Sequence, residues 1–192
     1  MRICKLRFLF RSMLSFGLVC GFGAVAADLL PARSSVSPGQ KAPTFRATTA
    51  DGKTINFPGD YKGRVVLLDF WATWCPPCRA EIPKVVATYN KLHDKGFEVL
   101  SVSLDRPKKG PEVLQFAKDN NMAWPHIYDG QYWKAAIALQ YGVRAIPCPV
   151  LVDGDTGTII ATEGSALGSR LGRAAEARLA ARTKAIADAK GN

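Results

Sequence analysis

The sequence predicts an α/β fold in which a central mixed β-sheet is flanked by helices on both faces and preceded by an N-terminal β-hairpin. Two apolar runs, residues 65–71 and 97–104, have the composition of strands that are buried on both faces. A helix-like segment follows each run, and the chain closes with a strand pair and an amphipathic helix. This alternation, ending in a hairpin and a helix, is typical of a mixed sheet in one layered domain.

Turn and helix signals predict the remaining elements. The N-terminal hairpin covers residues 44–57, and its turn is Ala50-Asp51-Gly52-Lys53. Helices are expected over 76–92, with a kink at Pro83, and over 112–119, 132–140 and 167–187. A short extended piece is expected at 124–128, and a strand pair at 149–153 and 158–162.

The N-terminus has the pattern of an export signal. Basic residues precede an apolar, glycine-rich run, which ends in Ala24-Val25-Ala26. This order predicts a secretory signal peptide over residues 1–26, and hence a periplasmic or other extracytoplasmic location. The apolar run is short for a membrane span, but an uncleaved membrane anchor stays open as the alternative. Cys4 and Cys20 would leave with the signal peptide.

A linker and one domain are expected after the signal. Residues 27–40 are rich in Pro, Ser and Gly and predict a flexible linker, and residues 41–187 predict a single domain. The net charge is +10. Much of the positive charge lies along the Ala-rich terminal helix without interleaved aromatic residues, which predicts a solvated helix face and no nucleic-acid partner.

The motif Trp74-Cys75-Pro76-Pro77-Cys78 carries the chemistry. It follows a predicted strand and opens a predicted helix, so both sulfurs lie at the first helical turn. Free N–H groups and the positive end of the helix dipole favour the thiolate of the first cysteine there, and the thiolate is the nucleophile in disulfide exchange. The spacing lets Cys78 resolve a mixed disulfide formed on Cys75.

Three other interpretations of the cysteine pair stay open. A zinc site needs two more ligands, and the candidates Cys148, His93 and His126 are scattered along the chain. The pair could also form an inert structural disulfide. A copper-binding module would use Cys75, Cys78 and Cys148, because soft thiolates suit Cu(I). The favoured redox dithiol needs no metal and no cofactor beyond the cysteine pair itself.

Three segments resemble a known family, and the shortest of them is Leu151-Val152-Asp153. The run from Asp69 to Glu81, which contains the cysteine motif, and the run Tyr141-Gly142-Val143-Arg144-Ala145-Ile146-Pro147 are similar to the thioredoxin superfamily, in particular to the exported TlpA/ResA-like thiol–disulfide oxidoreductases. The resemblance extends from Gly39 to about Gly164 and implies the thioredoxin fold. It also implies a cis peptide at Ile146-Pro147 beside the dithiol.

The resemblance also implies roles for the residues around the sulfurs. A substrate chain would bind along Ile146 and Pro147 as an added strand, and it would contact the motif at Trp74, Pro76 and Pro77. Asp69 matches the buried acid of thioredoxins, and burial would raise its pKa and let it accept the proton of Cys78.

Glu81 is the last residue of the first similar run, and Cys148 directly follows the second. Glu81 matches an acidic position of the exported reductants, although it could equally be a solvated helix carboxylate. Cys148 departs from the family, which usually has a small or hydroxylated residue after the cis proline. It is interpreted as a buried thiol that packs as a small hydrophobe, with a third redox thiol as the alternative.

The function implied by the resemblance is reduction of disulfides in extracytoplasmic proteins, for example in cytochrome c maturation or copper delivery. A membrane electron donor would re-reduce the Cys75–Cys78 disulfide, and the protein is expected to be a monomer. A disulfide-forming oxidant is the alternative. A peroxidase is disfavoured because the Trp-Cys-Pro-Pro-Cys motif stands where peroxiredoxins carry a lone cysteine in a Pro-x-x-x-Thr-x-x-Cys run.

Overall fold

The computed structural model describes residues 34–190. The predicted signal peptide and the first part of the predicted linker lie outside this range. The chain forms a two-stranded antiparallel sheet, β1 (Phe45–Thr48) and β2 (Thr54–Phe57), which confirms the predicted hairpin. The main sheet contains β3 (Val65–Trp71), β4 (Phe97–Ser103), β5 (His126–Tyr128), β6 (Cys148–Asp153) and β7 (Ile159–Thr162).

The five-stranded sheet is mixed, as predicted. Its order is β5-β4-β3-β6-β7. Strands β3, β4 and β5 are parallel to one another, β6 is antiparallel to β3, and β7 is antiparallel to β6. Every residue of β3 and β6 is buried, because both strands lie inside the sheet and are covered on both faces. The carboxyl end of β3 therefore delivers the cysteine motif from the centre of the sheet.

In residues 34–190, four α-helices flank the sheet: α1 (Pro76–Leu92), α2 (Gly110–Asp119), α3 (Ala136–Gln140) and α4 (Ser169–Lys190). Within the described range, no helix is long and apolar enough to cross a membrane. The prolines at positions 76 and 77 occupy the first turn of α1, where a missing N–H breaks no helical hydrogen bond.

The helix expected over 132–140 is wrong as a single element. A 3-10 turn covers Tyr132–Lys134, and α3 begins only at Ala136. Between them Ala135 has an extended backbone, with φ −52° and ψ 126°. The Asp129 carboxylate accepts hydrogen bonds from the backbone N–H groups of Gln131 and Ala136, and so stabilises the start of both pieces.

The segment before residue 41 is hydrogen-bonded to the rest of the fold. The N–H of Gly39 donates to the carbonyl of Ile159, and the N–H of Ile159 donates to the carbonyl of Gln40. The N–H and hydroxyl of Ser35 both donate to the carbonyl of Tyr141 at 3.1 Å. Residues 35–40, which the sequence assigns to a flexible linker, are therefore attached to the sheet and to the end of α3.

The last helix is held by charge as well as by apolar packing. Leu171, Ala175 and Leu179 are buried against the domain. On the neighbouring face Arg178 pairs with Asp153 and Arg182 pairs with Asp155, at the end of the β6–β7 hairpin. Part of the basic face that the sequence assigns to solvent therefore attaches α4 to the sheet.

Candidate active site

The two cysteines lie where the sequence places them, at the start of α1. Cys75 and Cys78 form a disulfide with 5.3 Å between their Cα atoms. Cys75 is the N-cap residue of α1, and its sulfur accepts a hydrogen bond from the N–H of Cys78 at 3.2 Å. The first sulfur therefore lies at the positive end of the helix dipole, in the position that favours a thiolate once the disulfide is reduced.

Asp69 lies behind the disulfide, in the middle of the sheet. It is only 8% exposed and is opposite Ser101 on β4 and Pro149 on β6. Burial, and secondarily the negative charge of Glu81, raises the pKa of Asp69 to about 7. The raised pKa that the sequence predicts for this carboxyl group is therefore present, at a value where it can both accept and donate a proton near neutral pH.

A small cavity joins the second cysteine to both acidic residues. Its volume is about 10 Å³, close to the space of one water molecule. Asp69, Cys78 and Glu81 line it, together with Pro147 and Gly168. Residues from β3, α1, the loop before β6 and the loop before α4 thus meet at this cavity. The spacing of residues in the sequence does not predict that the loop before α4 takes part.

Glu81 is held on two sides rather than freely solvated. Its Oε1 accepts a hydrogen bond from Lys84 Nζ at 2.6 Å, and its Oε2 accepts one from the backbone N–H of Gly168 at 2.8 Å. The side chain is 20% exposed. These contacts place its carboxylate at the mouth of the cavity, between solvent and Asp69.

The peptide bond between Ile146 and Pro147 is cis, as the resemblance implies. Pro147 is buried and lines the same cavity as Cys78, and Ile146 is half-buried. The cis proline therefore lies beside the dithiol. A second cis bond, Phe57-Pro58, connects β2 to the following turn and has no sequence signal of its own.

On the outer side of the dithiol, the surface is aromatic. Trp74 is 41% exposed, and its ring packs against Tyr132 and Trp133 with centroid distances of 5.3 and 6.1 Å. Its indole N–H donates to the carbonyl of Leu104 at 3.3 Å. Trp71, in contrast, is fully buried in the core, as its place in β3 predicts.

Cys148 is buried and is not part of the Cys75–Cys78 disulfide. It begins β6 and is opposite Phe70 in the β3–β6 ladder. Among residues 34–190, no group of three or more His, Cys, Asp or Glu side chains is arranged to hold a metal ion. The histidines proposed as zinc ligands lie elsewhere: His93 follows α1, and His126 is buried in β5, where burial lowers its pKa.

Sequence reasoning missed the residues that support the site from other loops. Asp105, at the end of β4, is buried and accepts hydrogen bonds from the N–H and hydroxyl of Thr73 and from the hydroxyl of Ser103. It thereby anchors the residue that precedes Trp74. The only sequence signal for Asp105 was an isolated acid after an apolar strand, and Gly168 had no signal at all. Lys84, three residues after Glu81 on the predicted helix, could have been found from its i,i+3 spacing.

The sheet, the dithiol at the start of α1 and the adjacent cis proline define a thioredoxin-fold protein with the site of the thiol–disulfide oxidoreductases. The chain belongs to the AhpC/TSA family, whose model matches residues 38–162, and within it the chain is TlpA/ResA-like.

Two relatives and one solved structure support this assignment. The thiol-disulfide oxidoreductase ResA of Bacillus anthracis is 34% identical over 156 residues, which cover 79% of this chain and 84% of that protein. ResA of Bacillus thuringiensis subsp. konkukian is 36% identical over 117 residues, 61% of this chain and 64% of that protein's length. The thioredoxin domain of a thiol-disulfide oxidoreductase from Bacteroides vulgatus superimposes with a TM-score of 0.65 at 29% identity, covering 76% of this chain and 99% of that domain.

Proposed function

We propose that this protein is an exported thiol–disulfide oxidoreductase that reduces disulfides of extracytoplasmic proteins. The observation that carries the proposal is the Cys75–Cys78 disulfide at the N-terminus of α1. Cys78, Asp69 and Glu81 lie around one cavity that is about the size of a water molecule. The dithiol favours exchange between disulfides over peroxide reduction, since a second sulfur is in place to resolve a mixed disulfide.

The reaction begins from the reduced pair. The Cys75 thiolate attacks one sulfur of the substrate disulfide, a mixed disulfide forms, and the other substrate sulfur leaves as a thiolate that takes a proton from solvent. Exposed Trp74, Pro76 and Pro77 form the surface that the substrate meets first, and the substrate chain would pair with the backbone at Ile146 and Pro147.

The second step uses the cavity. The Cys78 thiol gives its proton to the Asp69 carboxylate, directly or through one water molecule in the cavity, and the resulting thiolate attacks Cys75 Sγ. The bond between Cys75 and the substrate breaks, and the second substrate sulfur leaves reduced. Two electrons have passed to the substrate, and the Cys75–Cys78 disulfide seen in this structure is restored.

The sequence supports a proposal for the physiological setting. The N-terminal export pattern supports action outside the cytoplasm, where substrate disulfides form and persist. A membrane electron donor would then return the Cys75–Cys78 pair to the dithiol. Cysteine pairs of apocytochrome c or of a copper-delivery protein are the proposed substrates, and the protein is proposed to act as a monomer.

The experiment that tests the direction is the equilibrium reduction potential of the Cys75–Cys78 pair, measured by thiol labelling in glutathione buffers. Thioredoxin-like proteins range from about −270 mV for reductants to about −120 mV for strong oxidants. We expect a value near or below the thioredoxin end. A value near the oxidant end would contradict reduction and support the alternative, a protein that installs disulfides.

A further inference from the structure

A groove of about 380 Å³ runs beside the dithiol on its aromatic side. Its floor and walls come from three loops, and we call it the Trp74 groove; the residues that line it include Thr73, Trp74, Asp105, Arg106, Lys109 and Tyr132. Because Trp74 is the residue directly before the nucleophile, any chain bound to Cys75 passes next to this groove.

Arg106 is the distinctive group of the Trp74 groove. Its guanidinium carbon lies 4.9 Å from the centre of the Tyr132 ring, and that ring packs against Trp74 at 5.3 Å. A guanidinium held over an aromatic ring by cation–π attraction has N–H groups left to bind other partners. These groups match the geometry of a carboxylate, with which they can form two parallel hydrogen bonds.

The backbone around Arg106 is held in place. The hydroxyl of Tyr128 donates to the carbonyl of Arg106 at 2.6 Å and accepts the N–H of Lys109 at 2.8 Å. One side chain thus closes the loop between β4 and α2. A residue that is stacked and anchored in this way loses less freedom when it binds a partner, so more of the interaction energy appears as affinity.

The acidic groups of the Trp74 groove already have cationic or hydroxyl partners. Asp105 is buried and accepts hydrogen bonds from Thr73 and Ser103, and Glu112 pairs with Lys109. Across residues 34–190, no carboxylate lies within ion-pair distance of Arg106. The groove therefore presents a cationic edge above an aromatic surface.

We propose that Arg106 binds the carboxylate of an Asp or Glu residue that lies close in sequence to the disulfide of the protein substrate, while Trp74 and Tyr132 pack against the apolar part of the same segment. This inference rests on the proposed function and specifies its substrate class: disulfides flanked by an acidic residue. Arg106 is thus a specificity-determining residue, and it takes no part in the chemical steps.

The test compares three disulfide-containing peptides that differ only at one position beside a cysteine, which holds Glu, Gln or Lys. The pre-reduced protein, Arg106→Gln and Arg106→Glu are assayed for kcat/KM at low and at physiological ionic strength. Arg46→Gln is the matched control, since Arg46 is an exposed arginine in the β1–β2 sheet, outside the groove.

We expect the unaltered protein to prefer the Glu peptide over the Gln peptide by about twofold to fivefold, the range of an exposed charged pair. Arg106→Gln should lower kcat/KM on the Glu peptide to the value on the Gln peptide, and Arg106→Glu should prefer the Lys peptide. Arg46→Gln should behave like the unaltered protein. The preference should weaken as salt is added.

Two results would overturn the proposal in different ways. Equal kcat/KM for all three peptides, or a preference that survives in Arg106→Gln, would refute the role of Arg106 while leaving disulfide reduction intact. No reduction of any peptide by the unaltered protein would refute the proposed function, and the acidic-substrate inference with it.

Discussion

The carboxylate of Glu81 accepts a hydrogen bond from the backbone N–H of Gly168 at 2.8 Å, which joins the second turn of α1 to the loop before α4. The two residues are 87 positions apart in the chain. Gly168 has φ +55°, a conformation that residues with a side chain rarely adopt, so the loop presents its N–H to Glu81 at little conformational cost because this residue is glycine. The last helix is therefore part of the environment of the active site.

The ion pairs along α4 help to keep this contact in place. Arg178 pairs with the buried Asp153, and Arg182 with Asp155, so the helix is attached to the β6–β7 hairpin at a point far along its length from Gly168. A helix fixed in this way keeps its N-terminal loop against Glu81. The position of the Glu81 carboxylate then sets how strongly its charge acts on Asp69.

Glu81→Gln should lower the pKa of Asp69 from its value of about 7. The negative charge of Glu81 is one of two causes that raise this pKa; burial is the larger and remains, so the pKa should stay above its ordinary value of 3.8. The measurement is an NMR titration of the Asp69 carboxyl carbon in the oxidised protein. Glu112→Gln is the control, because Glu112 on α2 also pairs with a lysine three residues away, Lys109, which precedes the helix. An unchanged Asp69 titration in Glu81→Gln would mean that the Glu81 charge does not act on Asp69.

Asp69→Asn should remove a pH dependence of stability. With a pKa of about 7 in the folded state and 3.8 as its ordinary value, Asp69 binds a proton more tightly when folded. Its contribution is complete below about pH 4 and is lost as the pH rises through 7, so the free energy of unfolding should fall by roughly 2–3 kcal/mol between pH 5 and pH 8. Urea unfolding of the oxidised protein measures this difference.

The free energy of unfolding of Asp69→Asn should lack that decrease. The difference in stability between the variant and the unaltered protein should therefore shift in favour of the variant as the pH rises. Asp188→Asn is the control, because the side chain of Asp188 is 64% exposed on α4. If the control and Asp69→Asn showed the same dependence on pH, the burial of Asp69 would not be the cause.

The same substitution should slow resolution of the mixed disulfide. Asparagine cannot accept the proton of Cys78, and a positioned general base accelerates such a step by about 100-fold or more. We expect Asp69→Asn at pH 7 to accumulate protein joined to substrate through Cys75, detected by acid quenching and mass spectrometry. Raising the pH should shorten the lifetime of this species, because solvent hydroxide then deprotonates Cys78. Turnover of Asp69→Asn at the normal rate across this pH range would rule out Asp69 as the base.

Asp105→Ala should destabilise the loop that carries Trp74. The substitution leaves the N–H of Thr73 and two hydroxyl groups without their acceptor, which we expect to cost about 2–4 kcal/mol of the free energy of unfolding. Tryptophan fluorescence, which includes the exposed Trp74, should change with it. Asp129→Ala is the matched control: Asp129 also accepts backbone hydrogen bonds, but it is exposed and should cost less. Equal losses in both variants would contradict a special role for the buried carboxylate.

Cys148→Ala should leave disulfide reduction intact. The thiol is fully buried at the start of β6, so its replacement should cost stability, about 1 kcal/mol for the small cavity, and more for Cys148→Ser, which buries a hydroxyl group. The measurements are chemical unfolding and peptide reduction by both variants. If Cys148→Ala were fully folded but did not reduce the peptide, Cys148 would instead be identified as a third redox thiol.

The sequence by itself determined the parts of this protein that depend on local pattern. The largely apolar runs at 65–71 and 97–104 predict two central strands, because a strand that is covered on both faces lacks the alternation of apolar and polar residues seen in a half-exposed strand. The cysteine spacing after such a strand places Cys75 and Cys78 at a helix N-terminus, and the single buried acid of that strand, Asp69, has the raised pKa that its apolar neighbours predict.

Tertiary structure decided which distant loops complete the site. Gly168 acts on Glu81 only because α4 packs back across α1, and Arg106 lies over Tyr132 only because the loops after β4 and β5 end at the same edge of the sheet. The break at Ala135 depends in the same way on the Asp129 carboxylate. Such contacts join residues through space, whereas strands and helix starts are set by hydrophobic period and hydrogen-bonding needs that are written along the chain.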